Sequence, residues 1–417
     1  MAASACVAGA AFEGRSLEAY LREALEANPR LEAFEHYYEA ATERIPQAAS
    51  LPDPMLQVTR FIESVQTRTG PQDTVFLLSQ QIPWFGTLKN REAAASAEAE
   101  ALWYAYQGEQ LTLVRDLSEA FHEYGYTGRA LQLTGESLDL LEQLEPIVEE
   151  RVKGGGKLNA LLRLKVETGK LDDRLRRLEK QREVQSIRLS ELLALPGHDL
   201  LPFPEWRQPG LEDLPSEGLG AALEVQNPEL KMLARKIESA EARQELARLA
   251  RFPDLKFGLN YIDIGSPEVN PATPDAGQDP WGVTVSVTLP LWSGKNKAAR
   301  AEALAGRNAA EREYDERLLA LRAELRTSRS RFADAKRRME LYRDNLLDLA
   351  RQAVENSRSS YESGRGSILE LIDSERSLLE LELLDIRAEA DAWKALIRLQ
   401  TLVNGPVGGH SMPVPLN

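Results

Sequence analysis

Leu318, Leu321, Leu325, Ser328, Phe332, Ala335, Met339, Tyr342, Leu346, Leu349 and Ala353 recur in alternating steps of three and four. A sustained period of 3.5 commits a chain to left-handed coiled-coil packing, whatever else it builds. Segment 295–363 is therefore predicted as one helix, roughly 100 Å long at about 1.5 Å per residue. No compact domain accommodates that length. Segment 86–151 reads as a second helix of similar size, kinked near its end by Pro146. The composition agrees, because Ala, Leu, Glu and Arg dominate while aromatic residues are 6%.

The chain also repeats itself. Asn28-Pro29-Arg30-Leu31 returns as Asn227-Pro228-Glu229-Leu230, and Leu51-Pro52-Asp53 returns as Phe252-Pro253-Asp254. Ile82-Pro83-Trp84-Phe85-Gly86 is echoed by Leu289-Pro290-Leu291-Trp292-Ser293-Gly294, and Gly154-Gly155-Gly156 by Gly364-Arg365-Gly366. Order is kept and the offset drifts only from 199 to 210 residues. Four such pairs in register mark an internal duplication. Each half reads helix, hairpin, very long helix, glycine turn, long helix. The expected organisation is a tail at 1–15, a first repeat at 16–200 with hairpin 55–82 and tip 153–157, and a linker at 201–215. A second repeat follows at 216–404, with hairpin 255–289 and tip 363–367, then a tail at 405–417.

The hairpins carry the β signal. From Trp281 to Leu289 the odd positions are apolar and the even ones are Gly, Ser or Thr, and Leu255 to Tyr261 alternates likewise. Strands at about 55–63 and 74–82 are less clean, because Arg60 shares a face with Leu56, Val58 and Ile62. In a sandwich such an apolar face points inward; in a membrane barrel it points to lipid. Prolines 52, 83, 253 and 290 sit where strands meet helices. Helices near 221–250 and 367–404 together match the long helix 295–363, and helices near 16–50 and 157–195 match 86–151. Short helices stacked end to end beside long ones would build an elongated antiparallel wall, hairpins at one end and glycine turns at the other. One copy would leave its apolar seam exposed, so self-association is expected.

Acidic residues outnumber basic ones 65 to 51, giving a net charge of −14 that repels nucleic acid. One cysteine excludes a disulfide framework and a thiolate metal cluster. No run approaches eighteen consecutive apolar residues, so no transmembrane helix is expected, though barrel strands escape that test. Ala3-Ser4-Ala5 fits a small-residue cleavage site, and Cys6 after it is a lipidation candidate that points to export. The plain alternative is an unmodified tail.

On these residues the chain resembles the TolC family of outer-membrane efflux factors. The resemblance runs from about Leu17 to Val403. It rests on the repeated Asn-Pro-x-Leu, on Gln81-Ile-Pro-Trp-Phe-Gly86 between Pro-bounded hairpins, and on the stretch Tyr361-Glu-Ser-Gly-Arg-Gly-Ser-Ile-Leu-Glu-Leu-Ile-Asp373. The Pro-Trp-Phe-Gly variant resembles the branch associated with heavy-metal and cation export. The resemblance implies a mainly α fold of antiparallel coiled-coil helices forming an α-barrel. It also implies a homotrimer whose four strands per chain close a 12-stranded transmembrane β-barrel in outer-membrane lipid. Such proteins are passive ducts for substrates that an inner-membrane pump delivers through a periplasmic adaptor. Closure also solves the edge problem of an isolated pair of hairpins.

The resemblance further implies that Glu370 and Asp373 line the narrow periplasmic mouth as a channel gate. Three apart on a helix, they share a face; the bland reading is a solvated surface. Gly366 stands where some relatives carry a basic residue, and Arg163 is the candidate partner for an acid across the mouth. The adaptor would dock on the tips, at Lys153, Gly154, Gly156, Lys157, Leu158, Gly364, Arg365, Gly366 and Ser367. Gly154-Gly155-Gly156-Lys157 lacks the spacing and preceding strand of a phosphate loop, so helix reversal is the reading. His36, His122, His198 and His410 are scattered, as are the five methionines. No metal site, cofactor or enzyme is expected. Two rivals stay open: the exit channel of a type I protein-secretion system, which shares the fold, and a soluble periplasmic coiled-coil scaffold.

Overall fold

The computed structural model describes residues 16–197, 200–205, 212–215, 217–266 and 274–413. Cys6, His198, part of the 201–215 linker and the last four residues lie outside them. The chain divides into two compact units. The first takes Met1–Ala33, Tyr106–Glu229 and Arg317–Asn417, and the second Phe34–Ala105 and Leu230–Glu316. Each unit therefore draws on both halves of the sequence. The fold is mainly helical with one small sheet.

Helices α1 (Leu17–Ala27), α2 (Pro29–Thr42) and α3 (Arg44–Ala49) precede strands β1 (Met55–Thr67) and β2 (Gly70–Ile82). Helices α4 (Thr87–Lys153), α5 (Leu158–Leu192), α6 (Leu219–Gln226) and α7 (Pro228–Leu249) follow. Then come β3 (Leu255–Ile264), β4 (Trp281–Val287) and α8 (Ser293–Leu341). A π-helical turn, Tyr342–Leu346, leads into α9 (Leu347–Glu362), and α10 spans Ile368–Val403.

The segments read as continuous helices at 16–50 and 221–250 are each broken at the repeated Asn-Pro, and the first breaks again at Glu43. Asn28 Oδ1 accepts from the backbone N–H of Arg30 at 2.9 Å and of Leu31 at 3.3 Å, while Pro29 opens α2. Asn227 does the same for Glu229 N–H at 3.0 Å, ahead of Pro228 at the start of α7. Asparagine as N-cap and proline at the first helical position end one helix and start the next. Pro146 lies inside α4, which continues to Lys153.

The heptad of the second long helix also needs correcting. Leu321, Leu325, Ser328, Phe332, Ala335 and Met339 are buried as expected. Past the π turn the frame moves by one residue: Leu347, Val354 and Tyr361 are buried, while Leu349 is 56% exposed. A π turn accommodates one extra residue, and Arg343 takes the seam position expected for Tyr342. Its guanidinium is held there by the Asp385 carboxylate at 2.9 Å and by Glu389. Burial pushes the Asp385 carboxyl above its ordinary range, and Arg343 opposes that shift.

In the first unit, Leu117, Phe121 and Tyr124 of α4 pack on Tyr20 and Leu21 of α1 and on Leu189 and Leu193 at the end of α5. A second cluster joins Leu141 and Val148 of α4 to Leu164 and Leu171 of α5 and to Ile368, Leu371 and Leu379 of α10. In the second unit the four strands form one antiparallel sheet in the order β1-β2-β3-β4. Its two hairpins share one register: Leu56 pairs with Leu78 and Val58 with Phe76, and their counterparts Phe257 and Leu259 pair with Val285 and Val283.

Candidate functional site

Strand register decides which side chains share a face, because alternate residues point to opposite sides. One row across the sheet reads Leu56, Leu78, Leu259, Val283, and the next reads Val58, Phe76, Tyr261, Trp281. Toward the helices the same face continues with Gln80, Phe257 and Val285, then Ile82, Leu255 and Val287. This surface is almost wholly apolar, and it is open: Leu56 is 63% exposed, Val283 66% and Trp281 72%. The other face carries Gly258, Asn260, Thr284 and Ser286, with Asn260 Nδ2 donating to Thr284 Oγ1 at 2.7 Å.

The third row, Arg60, Thr74, Asp263, is polar, and Arg60 Nη1 donates to Thr74 Oγ1 at 3.4 Å. Arg60 thus sits at the rim of the apolar band, where the β1–β2 register also shifts. That placement gives Arg60 polar cross-strand neighbours, while Ile62, two residues further along β1, is fully exposed. The row beside it is aromatic, with Phe76 and Tyr261 rings 6.2 Å apart. On the helix side the band ends at Phe85, Trp292 and the stacked pair Trp84–Phe252, whose centroids are 5.0 Å apart. Eight residues separate Trp281 from Leu289, which at about 3.3 Å each gives a band of roughly 25 Å. Aromatic borders around an apolar band of this height match what a bilayer demands of a strand surface. Water would charge each such side chain about 1.5–3 kcal/mol for staying exposed.

Asp254, which sequence reasoning did not single out, joins the hairpins. Its carboxylate accepts from the Trp84 backbone N–H at 3.0 Å and from Gln81 Nε2 at 3.1 Å. Its own N–H donates to Thr288 Oγ1 at 2.7 Å. Repetition of Pro-Asp in both halves was the available signal.

In the first unit both glycine turns are Schellman caps. Gly156 N–H donates to Arg151 O at 2.8 Å and Gly155 N–H to Val152 O at 3.1 Å. Arg365 N–H donates likewise to Ser360 O at 3.0 Å and Gly364 N–H to Tyr361 O at 3.1 Å. Gly155 and Gly364 hold the left-handed position, with φ of 99° and 75°. The two turns meet through Arg151, whose guanidinium lies 4.0 Å over the Tyr361 ring.

The tip residues Lys153, Gly154, Gly156, Lys157, Leu158, Gly364, Arg365 and Ser367 are exposed, while Gly366 is half-buried. Lys153 Nζ pairs with Glu150 at 2.6 Å, and Leu158, Leu162 and Val166 form an exposed apolar stripe on α5. Glu370 also acts locally, closing a capping box with Ser367 at the start of α10. Ser367 N–H donates to Glu370 Oε2 at 3.3 Å, and Leu369 N–H donates to Ser367 Oγ at 3.2 Å. Asp373 is exposed, 3.9 Å from Arg376.

His122 and His410, unrelated in sequence, line one cavity of about 430 Å³ in this unit. His122 stacks on Trp393 at 4.9 Å, and burial, with Lys394 nearby, lowers its pKa to about 3. Among the described residues no three His, Cys, Asp or Glu side chains come together as a metal site.

Residues 219–405 match the model of the family described as outer membrane efflux protein. Outer membrane protein OprJ of Pseudomonas aeruginosa is 23% identical over 331 residues, 78% of this chain and 68% of that protein. The probable outer membrane lipoprotein SilC of Salmonella typhimurium is 23% identical over 325 residues, 74% and 67% of the two chains. The outer membrane protein VceC of Vibrio cholerae superposes with a TM-score of 0.77 at 17% identity, covering 95% of this chain and 98% of that one. The sequence repeats, the exposed apolar sheet face and these likenesses converge: residues 219–405 match the outer membrane efflux protein family, and the chain as a whole is similar to outer membrane efflux channels.

Proposed function

We propose that this efflux protein is the exit duct of a tripartite assembly, passively conducting what an inner-membrane pump drives through a periplasmic adaptor. The observation that carries this reading is the apolar sheet face with both edges open. Strands β1 and β4 lie at the sheet's edges, and exposed edges invite pairing with another copy. The repeat supports a specific closure. Within the chain β2 pairs with β3, Gln80 opposite Phe257 and Leu78 opposite Leu259. Transferred to the equivalent strands of two copies, that register sets Val287 against Leu56 and Val285 against Val58. Three copies joined in this way make a twelve-stranded barrel whose outer surface is the apolar band.

In this reading Glu370 and Asp373, repeated by three-fold symmetry, form acidic rings at the mouth, and Lys153 to Leu158 with Gly364 to Ser367 receive the adaptor. Cys6 carries an acyl anchor, as the small residues before it and the description of SilC as a lipoprotein favour. The test is purification: the protein should need detergent and elute as a trimer of 46.5 kDa chains. A monodisperse, detergent-free monomer would refute the duct and favour the soluble scaffold. A duct that conducts an unfolded polypeptide rather than small solutes would move the assignment to protein secretion.

A further inference from the structure

We infer that a basic groove between the end of α7 and the start of α8 binds the phosphate of an anionic phospholipid headgroup; this rests on the barrel reading. The groove, in the second unit, encloses about 700 Å³ and is lined by Arg248, Arg251, Lys297, Arg300 and Arg307, against Glu241 and Glu245. Both acids are already paired. Glu245 accepts from Arg248 Nε at 2.7 and 2.8 Å, and Glu241 lies 3.4 Å from Arg307, which also pairs with Glu311 at 2.7 Å. Arg251 stacks over Phe252 at 4.6 Å. Among the described residues no ion pair engages Lys297 or Arg300, and both are exposed. On a chain of net charge −14 this concentration of cations opposes the average, so it selects an anionic partner.

Its neighbours say which anion. Pro290 forms part of the groove wall, and beside it Leu289, Leu291 and Trp292 are 71%, 75% and 77% exposed. With the apolar band in hydrocarbon, these residues stand at the bilayer boundary and the cations just beyond it, in the headgroup layer. Arginine and lysine stems cross that boundary readily, and guanidinium binds phosphate in a bidentate fork. The other hairpin exit repeats the order: exposed Phe85 is followed by exposed Lys89 and Arg91. Free phosphate has the same chemistry, but it has no acyl chain to lie against Leu291 and Trp292.

The full-length protein, in detergent and in phosphatidylcholine vesicles, is titrated with phosphatidylglycerol, and bound lipid is counted by native mass spectrometry. Wild type should prefer phosphatidylglycerol to phosphatidylcholine by about ten-fold or more at low salt. The triple change Arg251→Gln, Lys297→Gln, Arg300→Gln should bring the ratio near one. The control Arg176→Gln, Arg177→Gln, Lys180→Gln, which removes as many exposed cations from α5, should leave it unchanged. If Arg251 proves necessary for folding, the double change at Lys297 and Arg300 carries the same expectation with a smaller loss. Equal preference in the triple variant and wild type overturns the inference, as does displacement of the lipid by about 50 mM inorganic phosphate, a concentration at which shared phosphate chemistry alone would compete. Wild type that inserts but shows no headgroup preference sinks this inference alone; wild type that never inserts sinks the barrel.

Discussion

Arg151 lays its guanidinium 4.0 Å over the Tyr361 ring and donates from Nη2 to the Tyr361 carbonyl at 3.1 Å. One side chain from the first repeat's turn thereby grips ring and backbone of the second repeat's turn. The same carbonyl accepts from Gly364 N–H, so Arg151 reinforces the cap that reverses the chain into α10. Arg151→Ala should lower stability by roughly 1–2 kcal/mol, the sum expected of a cation–π contact and a charged hydrogen bond. Limited trypsin digestion of the native protein should then cut at Arg365 sooner than in wild type. Unchanged digestion would show that the caps hold without the clamp.

Gly366 is bound by space rather than by φ. A Cβ there would lie 2.7 Å from Ser360 Cβ and 3.0 Å from the Tyr361 nitrogen. Gly366→Ala and Gly366→Lys should both destabilise by about 1–3 kcal/mol, because the clash is with backbone and a short side chain. A lysine that locked the mouth by charge would separate the two variants in thermal melts; equal loss is expected.

The long helices, the hairpins and the two turns were legible because each has a period or a punctuating residue. Asn-Pro was legible as a repeat but not as a helix break, since its effect lies in hydrogen bonds from Asn28 and Asn227 to the next turn. The π turn at Tyr342–Leu346 was invisible: a heptad continues smoothly on paper through Leu346 and Leu349, and the half-buried Arg343–Asp385 pair with the burial of Leu347 reveals the one-residue slip. Arg60 looked like a flaw in a lipid-facing strand because a sequence does not show its cross-strand row. The contacts of Asp254 and Arg151 were hidden for the same reason, their partners being 170 and 210 residues away.

His122 predicts a pH dependence. Burial, with Lys394 second, lowers its pKa from 6.5 to about 3, so the folded state favours the neutral ring. A depressed folded pKa means this contribution is complete above about pH 6.5 and fades as pH falls toward 3. Between about pH 7 and pH 4.5 the loss should be roughly 2–3 kcal/mol. His122→Gln should flatten that part of the pH–stability curve relative to wild type, read as the difference in thermal midpoint at the two pH values. Parallel curves would mean that protonation is accommodated without unfolding.

Glu370 and Asp373 allow the proposed mouth to be tested without loosening the tip. Glutamine serves in a capping box, so Glu370→Gln with Asp373→Asn should keep the Ser367 cap while removing two charges per chain. Reconstituted in planar bilayers, wild type should be cation-selective and blocked by multivalent cations; the double variant should lose most of both. Unaltered selectivity and block would leave these acids as a solvated helix face.

The proposed closure has a register that cross-linking can read. Leu78 faces Leu259 across the β2–β3 ladder, and the repeat places Val285 and Val58 in the corresponding positions. Directly opposite residues in an antiparallel pair have Cβ atoms about 4.5–5.5 Å apart, near the reach of a disulfide or a short linker. With Cys6→Ser as background, Val58→Cys combined with Val285→Cys should give covalent dimers and trimers on oxidation in membranes. Val58→Cys with Val287→Cys, one face-row out of step, should give far fewer. Both valines lie on the apolar face, so neither change adds bulk to the strand. Efficient cross-linking of the second pair instead of the first would keep the barrel but shift its seam by two residues, and no cross-linking of either would mean that β1 and β4 do not meet across copies.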